Sequence, residues 1–163
     1  ELKKAKSTHK EKLRLMLVGS ANDDVDFVEI IEGKKGIVVA DVLCFGARFH
    51  TDQVATDDDP IRALANRYLS KNECPRMYGD YKNRLKGILE SVERANVEGV
   101  ILQNIRFCDL HGSENGLFER DLEAKGIPCL RIEREYGPIV ESGRIKMRID
   151  AFIERIEQGR KRA

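Results

Sequence analysis

The stretch Gly99–Gly112 reads Gly-Val-Ile-Leu-Gln-Asn-Ile-Arg-Phe-Cys-Asp-Leu-His-Gly and decides how the rest of the chain is interpreted. Its apolar run, residues 99–103, follows a helical pattern, as expected of a buried strand in a parallel sheet. The run ends in a thiol, a carboxylate and an imidazole within four residues, at Cys108, Asp109 and His111. Because ligands of open α/β sheets bind at the carboxyl ends of strands, we look for chemistry here.

These three side chains have a functional and a purely structural interpretation. A thiol, a carboxylate and an imidazole can ligate a metal or cluster, or can form a nucleophile with its base. A lone cysteine is also a common small buried residue, and a Cys-Asp-x-His string has no standard zinc spacing. A Cys108–His111 nucleophile is disfavoured because Asp109, the evident third group, is adjacent in sequence and hard to aim at the same imidazole.

Strand and helix patterns alternate through the whole chain. Apolar runs predict strands over residues 13–18, 36–40, 99–103 and 127–132, and the helical period predicts helices over 24–32, 60–69, 78–95, 113–124 and 144–158. The period assigns inner faces to three of these helices: Val25, Val28 and Ile31 of the first, Ile61, Leu64, Ala65 and Tyr68 of the second, and Ile145, Ile149, Phe152, Ile153 and Ile156 of the last. Asp59 is the expected N-cap of the second helix, and Pro60 is expected in its first turn. This alternation predicts an α/β fold, flavodoxin- or Rossmann-like, with an open, mainly parallel sheet of about four strands and helices on both faces.

Length and charge restrict the classes of function. A chain of 163 residues fits one domain, which we place at residues 13–163, with residues 1–12 as a linker remnant or disordered segment. Lys and Arg (29) nearly balance Asp and Glu (28), so no bulk field favours nucleic acid or an anionic membrane. The sequence shows neither a bilayer-spanning run nor a signal-type segment, and we expect a cytoplasmic protein.

The four cysteines, Cys44, Cys74, Cys108 and Cys129, are spread along a chain without secretory features. We therefore expect thiols or cluster ligands rather than disulfides. Cys129 lies inside an apolar run and is interpreted as core. Cys44, Cys74 and Cys108 are each expected near one sheet edge, where they are candidates for a shared metal site.

For two of these cysteines a purely structural role is an alternative to a functional one. Cys44 lies between Asp41 and Arg48, which form either part of a polar site or a local ion pair with Cys44 as filler. Cys74 precedes Pro75 and is either a thiol facing the same edge or an incidental member of a rigid turn. The sequence leaves both alternatives open.

Several ordered blocks together indicate a known family. They are Asp41-Val-Leu-Cys-Phe-Gly-Ala-Arg48, Arg67-Tyr-Leu69, Cys74-Pro75, Gly99-Val-Ile101, Phe107-Cys-Asp109, Gly126-Ile-Pro128, residues 133–136 and residues 148–154. From about residue 13 to 156, the chain resembles the carboxyl-terminal domain of the 2-hydroxyacyl-CoA dehydratase and benzoyl-CoA reductase family of iron–sulfur subunits. Within that family, residues 104–115 look closer to benzoyl-CoA reductase-type subunits.

The resemblance implies a function and a cofactor. Cys108 is similar to the cysteine by which this domain ligates a 4Fe-4S cluster that has three cysteine ligands in all. The implied partners are a homologous iron–sulfur subunit, an ATP-hydrolysing activator that donates electrons, and an acyl-CoA substrate whose thioester carbonyl accepts a low-potential electron. No catalytic residue is assigned, and Cys44 and Cys74 remain additional candidate ligands.

The sequence therefore leads to three ranked expectations. The first is part of a radical-type benzoyl-CoA reductase acting on an aromatic acyl-CoA. The second is a subunit of an (R)-2-hydroxyacyl-CoA dehydratase that forms an enoyl-CoA, and the third is a non-catalytic module that binds another subunit. Members of the family are longer and take their other cluster cysteines from a preceding domain. We thus expect a fragment that is inactive alone and holds no assembled cluster.

Overall fold

The computed structural model describes residues 12–33, 35–71, 73–136 and 142–161. The expected linker at residues 1–12 lies outside these ranges except for Lys12, as do Gly137 and Pro138 of the link that precedes the last helix. The elements in chain order are β1 Leu13–Gly19, α1 Val25–Glu32, β2 Gly36–Leu43, a 3-10 turn Ala47–Phe49, α2 Pro60–Leu69, α3 Tyr81–Arg94, β3 Gly99–Ile105, α4 Asp109–Glu123, β4 Cys129–Arg134 and α5 Ser142–Arg160.

The four strands form one open parallel sheet in the order β2-β1-β3-β4. The chain moves outward from β1 to β2 and then returns to the other side for β3 and β4, so the order reverses between β1 and β3. The predicted α/β class and the four-stranded parallel sheet are confirmed. Doubly wound sheets bind ligands outside the carboxyl ends of strands near such a reversal.

Two apolar cores, one on each face of the sheet, hold the helices. On one face, Phe27 and Ile31 of α1 pack with α5 against β1. The α5 side chains predicted to point inward are all buried there: Ile145, Ile149, Phe152, Ile153 and Ile156. On the other face, Ile88 of α3 and Phe118 of α4 cover Val100 and Leu102 of β3. The central strands are therefore apolar on both sides, which explains the continuous apolar runs that predicted them.

Some boundaries and burial patterns differ from the sequence prediction. The second strand continues past Ala40 to Leu43, and the helix predicted from Ser113 already begins at Asp109, directly after Cys108. In α1 the buried side chains are Phe27 and Ile31, whereas Val25 is exposed. Both β2 and α4 extend into polar residues. The sequence prediction missed these extensions because it placed the ends of elements where the apolar periodicity stops.

The prediction for α2 was wrong about its inner face. Asp59 caps the helix as expected, accepting a hydrogen bond from the amide of Arg62 at 3.0 Å, and Pro60 is its first residue. Its only buried residue, however, is Ala63, while Ile61 is 74% exposed. The apolar period correctly identified a helix, but it carries no information on whether the apolar stripe faces this domain's own core.

Within the described residues, no helix is long and apolar enough to cross a lipid bilayer.

A close contact between β1 and β3 shapes the carboxyl edge. Gly19 has φ +136°, and a Cβ there would stand well inside van der Waals contact of the carbonyl oxygen of Gln103. The next amide, that of Ser20, donates to the same carbonyl at 3.2 Å. Glycine is therefore required at this position both for its backbone conformation and for the close approach.

We predict that Gly19→Ala lowers the free energy of unfolding by about 3 kcal/mol or more, since backbone strain and overpacking each cost about 1–3 kcal/mol. Gly126→Ala is the matched control. Gly126 also has a positive φ, +78°, but a Cβ there meets nothing within 4 Å, so it should cost only about 1 kcal/mol. Urea denaturation of both variants measures the difference, and equal costs would refute the proposed contact.

Candidate functional site

Three of the four cysteines lie near the carboxyl edge of the sheet. Cys44 directly follows the last residue of β2, Cys108 lies between β3 and α4, and Cys74 lies on the loop between α2 and α3. All three are half-buried free thiols. Cys44 and Cys74 also line one groove together with Leu110 of α4. This edge is where the sequence placed them.

The crevice between β1 and β3 is filled by the protein's own side chains. The buried guanidinium of Arg134 donates to Oε1 of Gln103 at 3.0 Å and to the carbonyl of Ala21 at 2.8 Å. The amide of Gln103 donates to the carbonyl of Ser20, whose hydroxyl accepts from the amide of Ile105 at 3.2 Å. Burial lowers the pKa of Arg134, although Asp24 and Asp23 oppose that shift. The accessible part of the edge therefore lies beside this crevice.

Cys108 occupies the N-cap position of α4. Its amide donates to the carbonyl of Ile105 and its carbonyl accepts from the amide of Gly112, both at 2.9 Å. Phe107, just before it, has a positive φ of 65° and an exposed ring. Backbone hydrogen bonds on both sides thus fix the position of a half-buried thiol at the end of a central strand.

The structure separates the trio that the sequence places together. Asp109 is exposed, whereas His111 is 5% exposed and its Nε2 lies 3.3 Å from Sγ of Cys44. Successive residues of a helix point about 100° apart, so neighbours in sequence face different directions. Within the described residues no hydrogen bond joins Cys108 and His111, and the geometry gives no support to a nucleophile made from that pair.

The Cys44–His111 contact joins β2 to α4 across 67 residues of sequence. Burial, with the charges of Arg48 and Arg84, lowers the pKa of His111 to about 4. The imidazole is therefore neutral at neutral pH and carries no charge that would stabilise a thiolate. The contact ties the first turns of α4 to the end of β2.

The Asp41–Arg48 segment forms a tight turn rather than the local ion pair considered from the sequence. Oδ1 of Asp41 accepts from the amides of Leu43 at 3.3 Å and Ala47 at 2.8 Å. Arg48 instead donates to the carbonyl of Glu73 at 3.2 Å, and no ion pair joins it to Asp41 within the described residues. Asp41 thus shapes the turn that carries Cys44.

Sequence reasoning missed a buried ion pair beneath the edge. Arg84 of α3 is 7% exposed and donates to Glu114 of α4, with Nε 2.8 Å from Oε2. The same guanidinium donates to the carbonyls of Cys74 at 3.3 Å and Met77 at 3.0 Å. It therefore holds the Cys74 loop against both helices. The apolar period that predicted α3 gives no signal for a buried charge.

The thiols of Cys74 and Cys129 differ in their environment. Partial burial raises the pKa of Cys74, but hydrogen bonds from Arg76 and the charges of Arg48 and Arg76 outweigh it and lower the pKa overall. Cys129 is buried in the sheet core, as predicted, and burial, together with Glu123 and Glu119, raises its pKa to about 12.

The described residues contain no group of three or more His, Cys, Asp or Glu side chains placed to hold a metal ion. The shared metal site considered for Cys44, Cys74 and Cys108 thus has no geometric support there. Cys108 fits the role of a single ligand, since it is a half-buried thiol on a fixed backbone at the sheet edge. Any cluster bound by Cys108 would need further ligands from outside the described residues.

We predict that protonation of His111 destabilises the fold between pH 6.5 and about 4. Because its folded pKa, about 4, lies below the ordinary 6.5, the unfolded chain binds the proton first. The stabilisation is therefore complete above pH 6.5 and falls by up to about 3 kcal/mol as the pH drops to 4. Urea denaturation across this range should show a flatter profile for His111→Gln. His50→Gln, which alters an exposed imidazole, should keep the wild-type profile, and the same profile for all three proteins would contradict the assignment.

We predict that iodoacetamide near neutral pH alkylates Cys74 at least about tenfold faster than Cys129, because the thiolate is the reactive form. Arg76→Gln should slow the labelling of Cys74 and leave that of Cys129 unchanged, since it removes the guanidinium that stabilises the Cys74 thiolate. Peptide mass spectrometry over time gives both rates. A Cys74 rate equal to that of Cys129, or insensitive to Arg76→Gln, would rule out this description of the thiol.

Comparison with known proteins identifies relatives of the chain. The family model described as 2-hydroxyglutaryl-CoA dehydratase, D-component, matches residues 1–156. The (R)-phenyllactyl-CoA dehydratase beta subunit of Clostridium sporogenes is 25% identical over 122 residues, which cover 75% of this chain and 32% of that protein. The provisionally named dehydratase subunit YjiM of Escherichia coli strain K12 is 31% identical over 138 residues, covering 84% of this chain and 35% of its own length.

The chain spans about a third of the length of these curated relatives. Both are named as dehydratase subunits, so the preference for a benzoyl-CoA reductase-type subunit receives no support from them. Because the family model covers nearly the whole sequence, the chain belongs to the 2-hydroxyglutaryl-CoA dehydratase D-component family.

Proposed function

We propose that this chain is the carboxyl-terminal α/β domain, residues 13–163, of a longer 2-hydroxyacyl-CoA dehydratase subunit, and that Cys108 is a thiolate ligand of its 4Fe-4S cluster. The observation that carries the proposal is the placement of Cys108, half-buried and fixed by two backbone hydrogen bonds at the carboxyl end of β3. The dehydratase activity is favoured because both curated relatives are named as dehydratase subunits.

The surroundings of Cys108 suit a cluster ligand in two ways. Cluster ligands need a rigid backbone, and β3 is paired on both sides, with β1 and β4. The positive end of the α4 macrodipole also favours negative charge at its first turn, where a thiolate-ligated cluster would lie. Cys129 is unsuited, since its thiol is buried among apolar side chains of the sheet core.

A bound 4Fe-4S cluster would supply a low-potential electron to the thioester carbonyl and, at an iron without a thiolate, a Lewis acid for a substrate oxygen. The role of this chain is to hold one iron through Cys108, whose backbone is hydrogen-bonded on both sides. The remaining ligands would come from outside the described residues, since Cys44 and Cys74, the additional candidates from the sequence, are not placed to share a metal ion with Cys108. A homologous iron–sulfur subunit and an ATP-hydrolysing activator are the proposed partners.

A benzoyl-CoA reductase subunit is the second candidate, supported by the resemblance of residues 104–115 to that branch. The two reactions differ in the net change that they make to the substrate. A dehydratase eliminates water from a 2-hydroxyacyl-CoA to give an enoyl-CoA, with no net redox change. A reductase adds two electrons and two protons to an aromatic ring. Assaying the full-length complex with (R)-2-hydroxyacyl-CoA and with benzoyl-CoA separates the two candidates.

We predict that Cys108→Ser in the full-length subunit, reconstituted anaerobically with iron and sulfide, removes the visible absorbance and the reduced-state electron paramagnetic resonance signal of the cluster. Dehydration by the complex should fall at least about 100-fold, the upper end of what losing a supporting residue of a metal site costs. Cys129→Ala is the matched control, because that thiol lies in the core, and it should keep both signals. A cluster that survives Cys108→Ser unchanged would overturn the assignment, and a subunit that never assembles a cluster would favour a non-catalytic binding module.

A further inference from the structure

A groove beside Cys44 carries an unusual excess of positive charge. It has a volume of about 630 Å³ and is walled by the turn after β2, the end of α2 and the loop that contains Cys74. Four cationic side chains line it, Arg48, Arg67, Lys71 and Arg76, against a single acidic one, Glu73. We refer to it as the cationic groove.

The cations of this groove are held mainly by neutral acceptors. Arg67 donates to the carbonyls of Phe49 at 2.6 Å and Asp52 at 3.0 Å, and Lys71 donates to the carbonyl of Arg48 at 2.8 Å. A carbonyl accepts a hydrogen bond but leaves the charge of its donor uncompensated. Among the described residues, the only carboxylate within 4.0 Å of these four groups is that of Asp52, 3.8 Å from Lys71.

The acidic residue of the groove does little to neutralise it. The carboxylate of Glu73 is directed at α3, where Oε1 lies 3.4 Å from the position that a Cβ would take on Gly87. Arg48 contacts the carbonyl of Glu73 at 3.2 Å rather than its carboxylate. Arg76 is exposed, and its charge lowers the pKa of the neighbouring Cys74 thiol. The groove thus presents cations whose charge is available to an anion from solution.

Exposed aromatic rings stand beside these cations. Phe45 is 78% exposed, Tyr68 is 58% exposed and Phe49 is 51% exposed. The guanidinium of Arg67 lies over the Tyr68 ring, 4.8 Å from its centroid. Exposed rings next to arginine are the surface on which nucleic acid bases stack. The groove therefore combines the two features that a phosphorylated nucleotide requires, positive charge for its phosphates and a flat apolar surface for its base.

We infer that the cationic groove binds a phosphorylated nucleotide, with its phosphates among Arg48, Arg67, Lys71 and Arg76 and its base on an exposed ring at the rim. The volume lies within the range of about 300–1,000 Å³ that small-molecule sites occupy. The groove lies beside Cys44 and outside the filled crevice between β1 and β3. The proposal that this nucleotide is the nucleotide end of an acyl-CoA rests on the proposed function. The existence of the binding site does not.

Isothermal titration of the 163-residue chain tests the inference with three probes, adenosine 3′,5′-bisphosphate, inorganic pyrophosphate and adenosine. The bisphosphate should bind at one site with the highest affinity, and its affinity should fall as salt concentration rises. Pyrophosphate should bind more weakly, because it lacks the base. Adenosine should bind most weakly, because it lacks the phosphates.

Two variants with matched controls separate the charge from the stacking surface. Arg76→Gln should weaken the bisphosphate about tenfold through loss of a charge-assisted hydrogen bond. Arg120→Gln removes the same charge from an exposed site ten residues along α4 from Leu110 and should change the affinity less than about twofold, since about 15 Å of helix separates it from the groove. Phe45→Ala should weaken the bisphosphate and leave pyrophosphate unchanged. Circular dichroism confirms that each variant is folded.

Several outcomes would overturn the inference. These are no saturable binding of the bisphosphate at millimolar concentration, equal effects of Arg76→Gln and Arg120→Gln, or equal affinities for the bisphosphate and pyrophosphate in the unsubstituted chain. The test is independent of iron. If the groove does not bind the bisphosphate but the full-length subunit keeps its Cys108-dependent cluster, only this inference is rejected. If the groove binds the bisphosphate but no cluster assembles in the full-length subunit, only the proposed function is rejected.

Discussion

The arrangement of the carboxyl edge depends on how closely β1 approaches β3 at Gly19. With no side chain at that position, the carbonyl of Gln103 comes close enough to accept from the amide of Ser20. The Gln103 side chain and the buried guanidinium of Arg134 then occupy the crevice at which the strand order reverses. A sheet of this type normally offers that crevice to a ligand. Here the accessible surface is shifted toward the end of β2 and the start of α4.

At the start of α4, the geometry of the helix determines where the side chains of Cys108, Asp109 and His111 lie. Cys108 stays at the rim with a half-buried thiol, while His111 points inward to Cys44. The Arg84–Glu114 pair fastens the same helix to α3 and to the loop that carries Cys74. Three cysteine-bearing segments are thus joined to one another through α4. The position of the Cys108 thiol is therefore set by contacts that reach β2, α3 and the Cys74 loop.

The sequence was sufficient to predict the sheet, its parallel direction and the helices on both faces, because buried parallel strands and amphipathic helices have distinct periods. It also placed Cys108 at the end of a central strand. It could not predict that Ile61 and Tyr68 face outward, since the period of α2 is the same whichever surface the apolar stripe covers. Nor could it predict the contact between Cys44 and His111, because residues 67 positions apart meet only through the tertiary fold. The cationic groove was missed for the same reason, as its arginines come from separate segments.

The turn that carries Cys44 has a consequence for how this protein varies between species. The carboxylate of Asp41 fills the space that a Cβ on residue 46 would need, and it accepts from the amide of Ala47 at 2.8 Å. Any side chain at position 46 therefore collides with Asp41, while shortening Asp41 leaves the amides of the turn without their acceptor. Gly46 should therefore be retained wherever Asp41 is retained, because a side chain at position 46 would displace the carboxylate from the amides of the turn.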